Sequence, residues 1–429
     1  MEEDTAAQRM ERDIRQLAES VGIRPYGSPG ELQAARYMAR RMGELGLSPV
    51  RLEKFPVTAF RDAQASCHIL QQGRWHEVPC LPGSNTTCTP KEGVEADLVL
   101  IEDVNTLRQH GNLQGKVGLL VGGYGETAKP FRALMRSGLA AIIYVDHRFP
   151  NNWAVDVGVP AVWLKYAELP LVCIPYTEAW RITQKGLPRV RILVSIERYR
   201  GESQNVIGEL PGKTDEVIVV CAHHDSTPRC AAPDDDASGL AAMLELARVA
   251  CGEPQHRRTL RFMSFGAEEV LSEGARQHVM RLRRRGEADR VRLVLNNDSI
   301  GSRLGRTTLW VWGSPSTADW AQRQLRRASV PVGLTTELCP FSDHFPFNAV
   351  EVPSFWFHRT NTASGRFYHH SRHDTMSVIS TEKMAALVAF EAELLLGIAN
   401  ARTLPWNGVL SEEQTTKIRQ AARDLLGFK

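Results

Sequence analysis

Val217-Ile218-Val219-Val220-Cys221-Ala222-His223-His224-Asp225 is an apolar run of strand length that ends on two imidazoles and a carboxylate. Ten residues after Asp225 comes Asp235-Asp236-Ala237-Ser238-Gly239, the composition of a helix entrance. The placement recurs twice. An apolar run over 260–265 is followed by Glu268-Glu269, and another over 291–295 is followed by Asp298. Short apolar runs bounded by turn residues read as buried strands. In an open α/β sheet, ligands gather beyond the carboxyl ends of the strands. Three repeats of one placement therefore predict one shared site, and its residue types suit divalent zinc.

Working outward, strand and helix alternate from Gly201 onward. Helical patterns cover 239–249, 272–284 and 382–398, and further strand runs lie at 308–312 and 352–357. Such alternation predicts an α/β fold, a mixed and mostly parallel sheet flanked by helices. Residues 1–54 read as helical, with Leu32, Ala35, Met38, Met42 and Leu45 on one face after the turn Gly27-Ser28-Pro29-Gly30. Residues 55–200 differ. They offer short β-type runs at 98–101, 117–121, 141–145, 159–164 and 190–196 around a helical patch at 129–139. This is the pattern of an inserted small β-rich domain, and its polar residues show no catalytic spacing. The expected division is a catalytic domain of 1–54 with 201–429, and an insertion of 55–200.

Bulk properties exclude several classes. A chain of 429 residues is long enough for two or three domain-sized units. A net charge of +3 is too weak to argue for nucleic acid, and Arg281, Arg283, Arg284, Arg285, Arg290 and Arg292 read as a solvated helix face. No apolar run approaches the roughly 20 residues that span a bilayer, so no membrane is expected. Met1-Glu2-Glu3-Asp4 does not lead into a secretory core. The eight cysteines lack a short repeat and read as reduced thiols. A cytoplasmic location follows, or a secreted one if a leader was removed beforehand.

Zinc chemistry then assigns roles. Zinc takes imidazole nitrogen and carboxylate oxygen, and a pair of ions needs a bridging carboxylate. His223 is the imidazole ligand, and Asp225 can orient it through its other nitrogen. Asp235, at the helix entrance, is the bridge, and Asp298 is a further oxygen ligand. Of the adjacent pair, Glu269 is assigned to metal and Glu268 to general base, since one free carboxylate must accept a proton. Asp236 reads as a structural partner. The last ligand is a histidine among His369, His370 and His373, and spacing leaves the choice open.

Five marks in order now show a resemblance: Ala222-His223-His224-Asp225-Ser226, Asp235-Asp236-Ala237-Ser238-Gly239, Phe265-Gly266-Ala267-Glu268-Glu269, Asn297-Asp298-Ser299-Ile300-Gly301 and His370-Ser371-Arg372-His373-Asp374-Thr375. The chain resembles the co-catalytic zinc aminopeptidases and their glutamate-carboxypeptidase relatives, peptidase family M28. The resemblance implies a zinc-exopeptidase fold, two Zn2+ ions, peptide substrates, and a protease-associated domain inserted at 55–200. It also implies His223 and Asp298 on one zinc, Glu269 and His370 on the other, and Asp235 across both. The family pattern of a histidine, three intervening residues and then Asp-Thr singles out His370. Where many members use a tyrosine at the oxyanion, this chain offers His369, with Tyr368 as the alternative, similar to the dipeptidase-like subgroup. Ser342-Asp343-His344 recurs near the family's substrate pocket, and Arg359, Arg366 and Arg372 are candidates to capture a substrate carboxylate. His224 and His373 read as surface residues or as supports behind the ligands. Two rivals stand beside the exopeptidase. A glutaminyl-cyclase-type aminoacyltransferase is suggested by Asp343-His344-Phe345-Pro346-Phe347, although cyclases work with a single zinc. An inactive binding scaffold would have lost ligands that are all present here.

Overall fold

Buried β-branched residues give this chain its central strands. In the computed structural model, which describes residues 4–123, 127–184, 186–363, 365–407 and 410–428, every residue of the strand Val217–His223 is buried. A strand covered on both faces needs such an uninterrupted apolar run. Thr259–Phe265 and Val291–Asn297 flank it, both parallel to it. Ser354–Thr360 adds a fourth parallel strand beside Val291–Asn297. Arg306–Trp312 and the end of Arg189–Leu210 pair antiparallel outside these, and Val332–Thr335 closes the order. The fold is therefore a mixed, mostly parallel sheet with flanking helices.

Register decides where the site lies. Phe265 stands opposite His223, Asn296 opposite Cys221 and Asn297 opposite Phe357. The segments that follow these strands therefore leave the sheet at one edge. Helices Ala6–Arg15, Gly239–Cys251 and Thr381–Asn400 touch one another, while Glu273–Arg285 meets the short helix Phe345–Asn348. One core joins Met38 and Met42 of the helix Pro29–Glu44 to Ile218, Val220, Leu240, Phe262, Leu295 and Leu394. Ser28 caps that helix by accepting the Glu31 N–H, and Pro29 fills its first turn, where no N–H is needed.

The chain forms two compact units, one of Met1–Val57, Gly201–Arg366 and Arg372–Lys429, the other of Thr58–Arg200 with Phe367–Ser371. In the second unit, Val94–Ile101, Val117–Val121, Ala141–Val145 and Leu171–Cys173 run parallel in that order. Helices Ala128–Met135 and Tyr176–Thr183 accompany them, and a separate core gathers Leu98, Leu119, Ile143, Val172 and Ile192. The run at 159–164, expected as a strand, is instead a tight helical turn, Ala161–Tyr166, entered from Pro160. Proline supplies no ladder N–H and its fixed φ suits a helix start. Segment 367–371 joins this unit through Asn151 Nδ2, which donates to the Phe367 carbonyl at 2.8 Å, and Asp156 N, which donates to that of His370 at 3.3 Å.

Candidate active site

The loops leaving the parallel strands carry the candidate residues, and buried carboxylates fix their backbones. His223 ends its strand and is 1% exposed. Its N–H donates to Asp236 Oδ2 at 3.2 Å. Asp236 also accepts the N–H groups of Gly239 at 2.8 Å and Ser299 at 3.1 Å through Oδ1. It is thus a structural clasp between three loops. Gly239 is required beside it, because a Cβ there would lie 2.2 Å from the Asn297 carbonyl oxygen. Asp374 does the same for the next loop, accepting Asp234 N and Asp235 N at 3.1 Å each.

Asp225 has a further role beside the one its spacing suggests. Its carboxylate accepts the N–H groups of Glu268 at 2.9 Å and Glu269 at 3.1 Å. Its Oδ1 stands 3.6 Å from His223 Nδ1, and its own carbonyl oxygen is nearer that nitrogen at 3.3 Å. The two-glutamate turn it clamps is strained, with Ala267, Leu271 and Ser272 at φ of 54°, 70° and 53°. Glu31 supports the turn too: Oε1 accepts the Ala267 N–H at 3.2 Å and Oε2 that of Gly27 at 2.7 Å.

In the first unit, ligand atoms of His223, Asp235 and Asp298 lie within 4.8 Å of one another. His223 Nε2 is 3.2 Å from Asp235 Oδ1 and 3.9 Å from Glu268 Oε2. That nitrogen is buried and makes no hydrogen bond. Donors about 2.1 Å from a shared zinc ion stand about 3.4 Å apart in a tetrahedron. An imidazole and carboxylates that approach this closely without hydrogen-bonding fit a divalent cation. Asp298 is held by Ser299 Oγ, donating to Oδ1 at 3.0 Å, and Ser342 Oγ, donating to Oδ2 at 2.5 Å. Glu268 accepts Ser272 Oγ at 3.2 Å. Its carboxyl is pushed well above the usual range by burial, then by the charges of Asp298, Glu269 and Asp225, with His223 acting the other way.

His369 and His370 lie in segment 367–371 of the second unit, their rings stacked with centroids 3.6 Å apart. Tyr368 is buried in that segment.

Several side chains have duties the sequence did not reveal. His224 is fully buried and hydrogen-bonded to Ser264 Oγ at 2.7 Å. His344 is buried and stacked on Trp356 with centroids 5.1 Å apart. Arg359 donates to the Ser302 carbonyl and to Thr307 Oγ1. Arg366 donates to Asp235 Oδ2 at 2.7 Å. Asp343 is buried with neither oxygen hydrogen-bonded, and burial and then the Glu268 charge push its carboxyl well up. The Cys230 thiol is also pushed up by burial, which favours its protonated form. No local signal marked Glu31, which reads as an ordinary first-turn glutamate.

The family model for Peptidase family M28 matches residues 205–395, the stretch that carries His223, Asp235, Glu268, Glu269, Asp298 and His370. Aminopeptidase YwaD of Bacillus subtilis is 26% identical over 389 residues, covering 86% of this chain and 80% of that protein. Human carboxypeptidase Q is 23% identical over 417 residues, covering 90% of this chain and 84% of its own. Among solved structures, a peptidase M28 precursor from Shewanella amazonensis matches with a TM-score of 0.78 at 20% identity, over 95% of this chain and 98% of that one. BSAP, a zinc aminopeptidase from Bacillus subtilis, matches with a TM-score of 0.73 at 21% identity, over 94% and 98%. At such identities the structural likeness speaks for the fold. Among the described residues, no helix is long and apolar enough to cross a membrane. The likeness to Peptidase family M28 is thus carried by residues 205–395, where the sequence motifs named above stand.

Proposed function

We propose that this protein is a zinc-dependent exopeptidase that hydrolyses unblocked peptides with a pair of zinc ions. The observation that carries the reading is the convergence of His223, Asp235 and Asp298 ligand atoms within 4.8 Å, beside Glu268. His223 and Asp298 would hold one ion, Glu269 and His370 the other, and Asp235 would serve both; the assignment of Glu269 and His370 rests on the family motif. When bound, zinc polarises a carbonyl and makes water acidic enough to react near neutral pH.

The chain's own residues manage protons and orientation. Glu268 takes a proton from the attacking water at its carboxylate and returns it to the nitrogen of the leaving amine. A carboxyl with raised proton affinity suits that exchange, because transfer is efficient when acid and base strengths are matched to the working pH. Asp225 keeps Glu268 aimed by fixing the backbone of both glutamates. His369, with Tyr368 as the alternative, supplies the donor for the oxyanion. Residues 55–200 are assigned as a protease-associated type of insertion, supported by the separate core of Thr58–Arg200.

The test is mass-spectrometric readout of zinc-loaded protein on unblocked dipeptides and tripeptides, including N-terminal Gln peptides, with a chelated control. Stepwise release of terminal residues that stops with chelator is expected, and the residue released tells which terminus is read. Loss of ammonia from Gln peptides without cleavage would replace the reading with cyclisation. Inertness on every peptide, despite bound zinc, would refute it.

A further inference from the structure

Arg366 holds the oxygen of Asp235 that a bridging role requires. Asp235 turns Oδ1 to His223 Nε2 at 3.2 Å, while Oδ2 accepts Arg366 Nη2 at 2.7 Å. The Arg366 side chain is 5% exposed and that of Asp235 9%, so water screens this pair weakly. The guanidinium is anchored from behind. His358 Nδ1 donates to the Asp298 carbonyl at 2.9 Å, which leaves Nε2 as acceptor for Arg366 Nη1 at 3.2 Å. Arg366 Nε also stands 3.5 Å from Asp234 Oδ2. Once Oδ2 is released, the guanidinium retains His358 and Asp234 as partners. Moving away therefore costs less than stranding a buried charge would.

A carboxylate shared between two cations needs an oxygen for each. We propose that Arg366 competes with the second zinc ion for Asp235 Oδ2, so that the two ions bind in separate steps of unequal affinity. This rests on the two-zinc reading above. The first ion uses His223, Asp298 and Asp235 Oδ1, which the guanidinium leaves accessible. The second must displace a charge-assisted hydrogen bond before Asp235 can serve it. Displacing one such bond weakens the second step about ten- to a hundredfold relative to a chain without the arginine. The arginine is then a ligand-specific brake: it stabilises the carboxylate cluster before metal arrives and sets the free zinc level at which the pair is completed.

The experiment is a zinc titration by calorimetry and chelator competition on the full chain, with metal content measured by mass spectrometry, for wild type, Arg366→Met and Arg366→Lys. Thermal melts of the metal-free proteins check folding. The expected result is two steps in wild type and a second step tightened about ten- to a hundredfold in Arg366→Met, the first step changing much less. Equal tightening of both steps would make Arg366 a general field effect and overturn the proposal. A second step that weakens would overturn it too, making Arg366 an aid to Asp235 orientation. If Arg366→Met does not fold, Arg366→Lys decides: it keeps a charge beside Asp235 Oδ2 and loses the His358 contact that eases withdrawal, so its second step must be no tighter than in wild type, and a tightening of about tenfold or more refutes the competition. Saturation at one zinc in all three proteins would instead remove the two-zinc reading, and the competition with it.

Discussion

Glu391 offers a test of the core beneath the site by pH alone. It lies in the helix Thr381–Asn400, fully buried, with neither carboxyl oxygen hydrogen-bonded. Burial pushes it from the ordinary 4.5 up to about 8, and the neighbouring Asn297 amide offsets part of that rise. The folded chain therefore carries a neutral acid at pH 7 where the unfolded chain carries a carboxylate. A raised folded value means that the contribution is fully present below about pH 4.5 and is lost as pH rises through about 8. The two values differ by roughly 3.5, and each unit is worth about 1.4 kcal/mol, so the full loss approaches about 5 kcal/mol. Between pH 5 and pH 8 the same titration removes about 3 to 4 kcal/mol. Glu391→Gln keeps the shape and cannot ionise. Urea unfolding of both proteins, followed by tryptophan fluorescence from pH 5 to 8, should show wild-type stability falling relative to the variant. Parallel curves for the two proteins over that range would refute a neutral Glu391.

Three further substitutions address the site. Glu268→Gln should retain zinc by metal analysis and lose about 10²- to 10⁴-fold in kcat, since it removes a general base and leaves the proposed ligands in place; a variant with full turnover would remove that assignment. Asp225→Ala frees the two N–H groups now bonded at 2.9 and 3.1 Å, and a drop of about 10- to 100-fold in activity or zinc affinity is expected. Unaltered kinetics and zinc affinity would show that the clamp is dispensable. Gly239→Ala forces a Cβ to 2.2 Å from the Asn297 carbonyl oxygen and 2.4 Å from Asp236 Oδ1. Its thermal midpoint should fall, with a cost of about 1 to 3 kcal/mol from overpacking, and a wild-type melting curve would contradict the close approach.

Much of the fold was legible because its signals are local. The apolar runs at 217–222, 260–265 and 291–295 became Val217–His223, Thr259–Phe265 and Val291–Asn297, since a buried parallel strand demands that composition. The helix after Gly239 and the closing helix declared themselves by the same logic. The run at 159–164 misled because a short apolar stretch reads alike in a strand and in a buried turn. Segment 367–371 carries no local mark of grouping with residues 58–200, because its ties are hydrogen bonds to Asn151 and Asp156, more than 200 positions away.

By itself, then, the sequence determined the strand ends, the residue types that follow them and the order of the ligand motifs. Composition and spacing suffice for these because strand burial and zinc preference act on each residue's own chemistry. Tertiary structure alone decided how the carboxylates are held and what else competes for them. Asp374 reaches back 140 positions to Asp234, Asp225 clamps glutamates 43 and 44 residues ahead, and Arg366 meets Asp235 across 131 positions. Such pairs exist only because strand register brings distant loops to one edge of the sheet, and register is set by packing of the whole core, which no local pattern records.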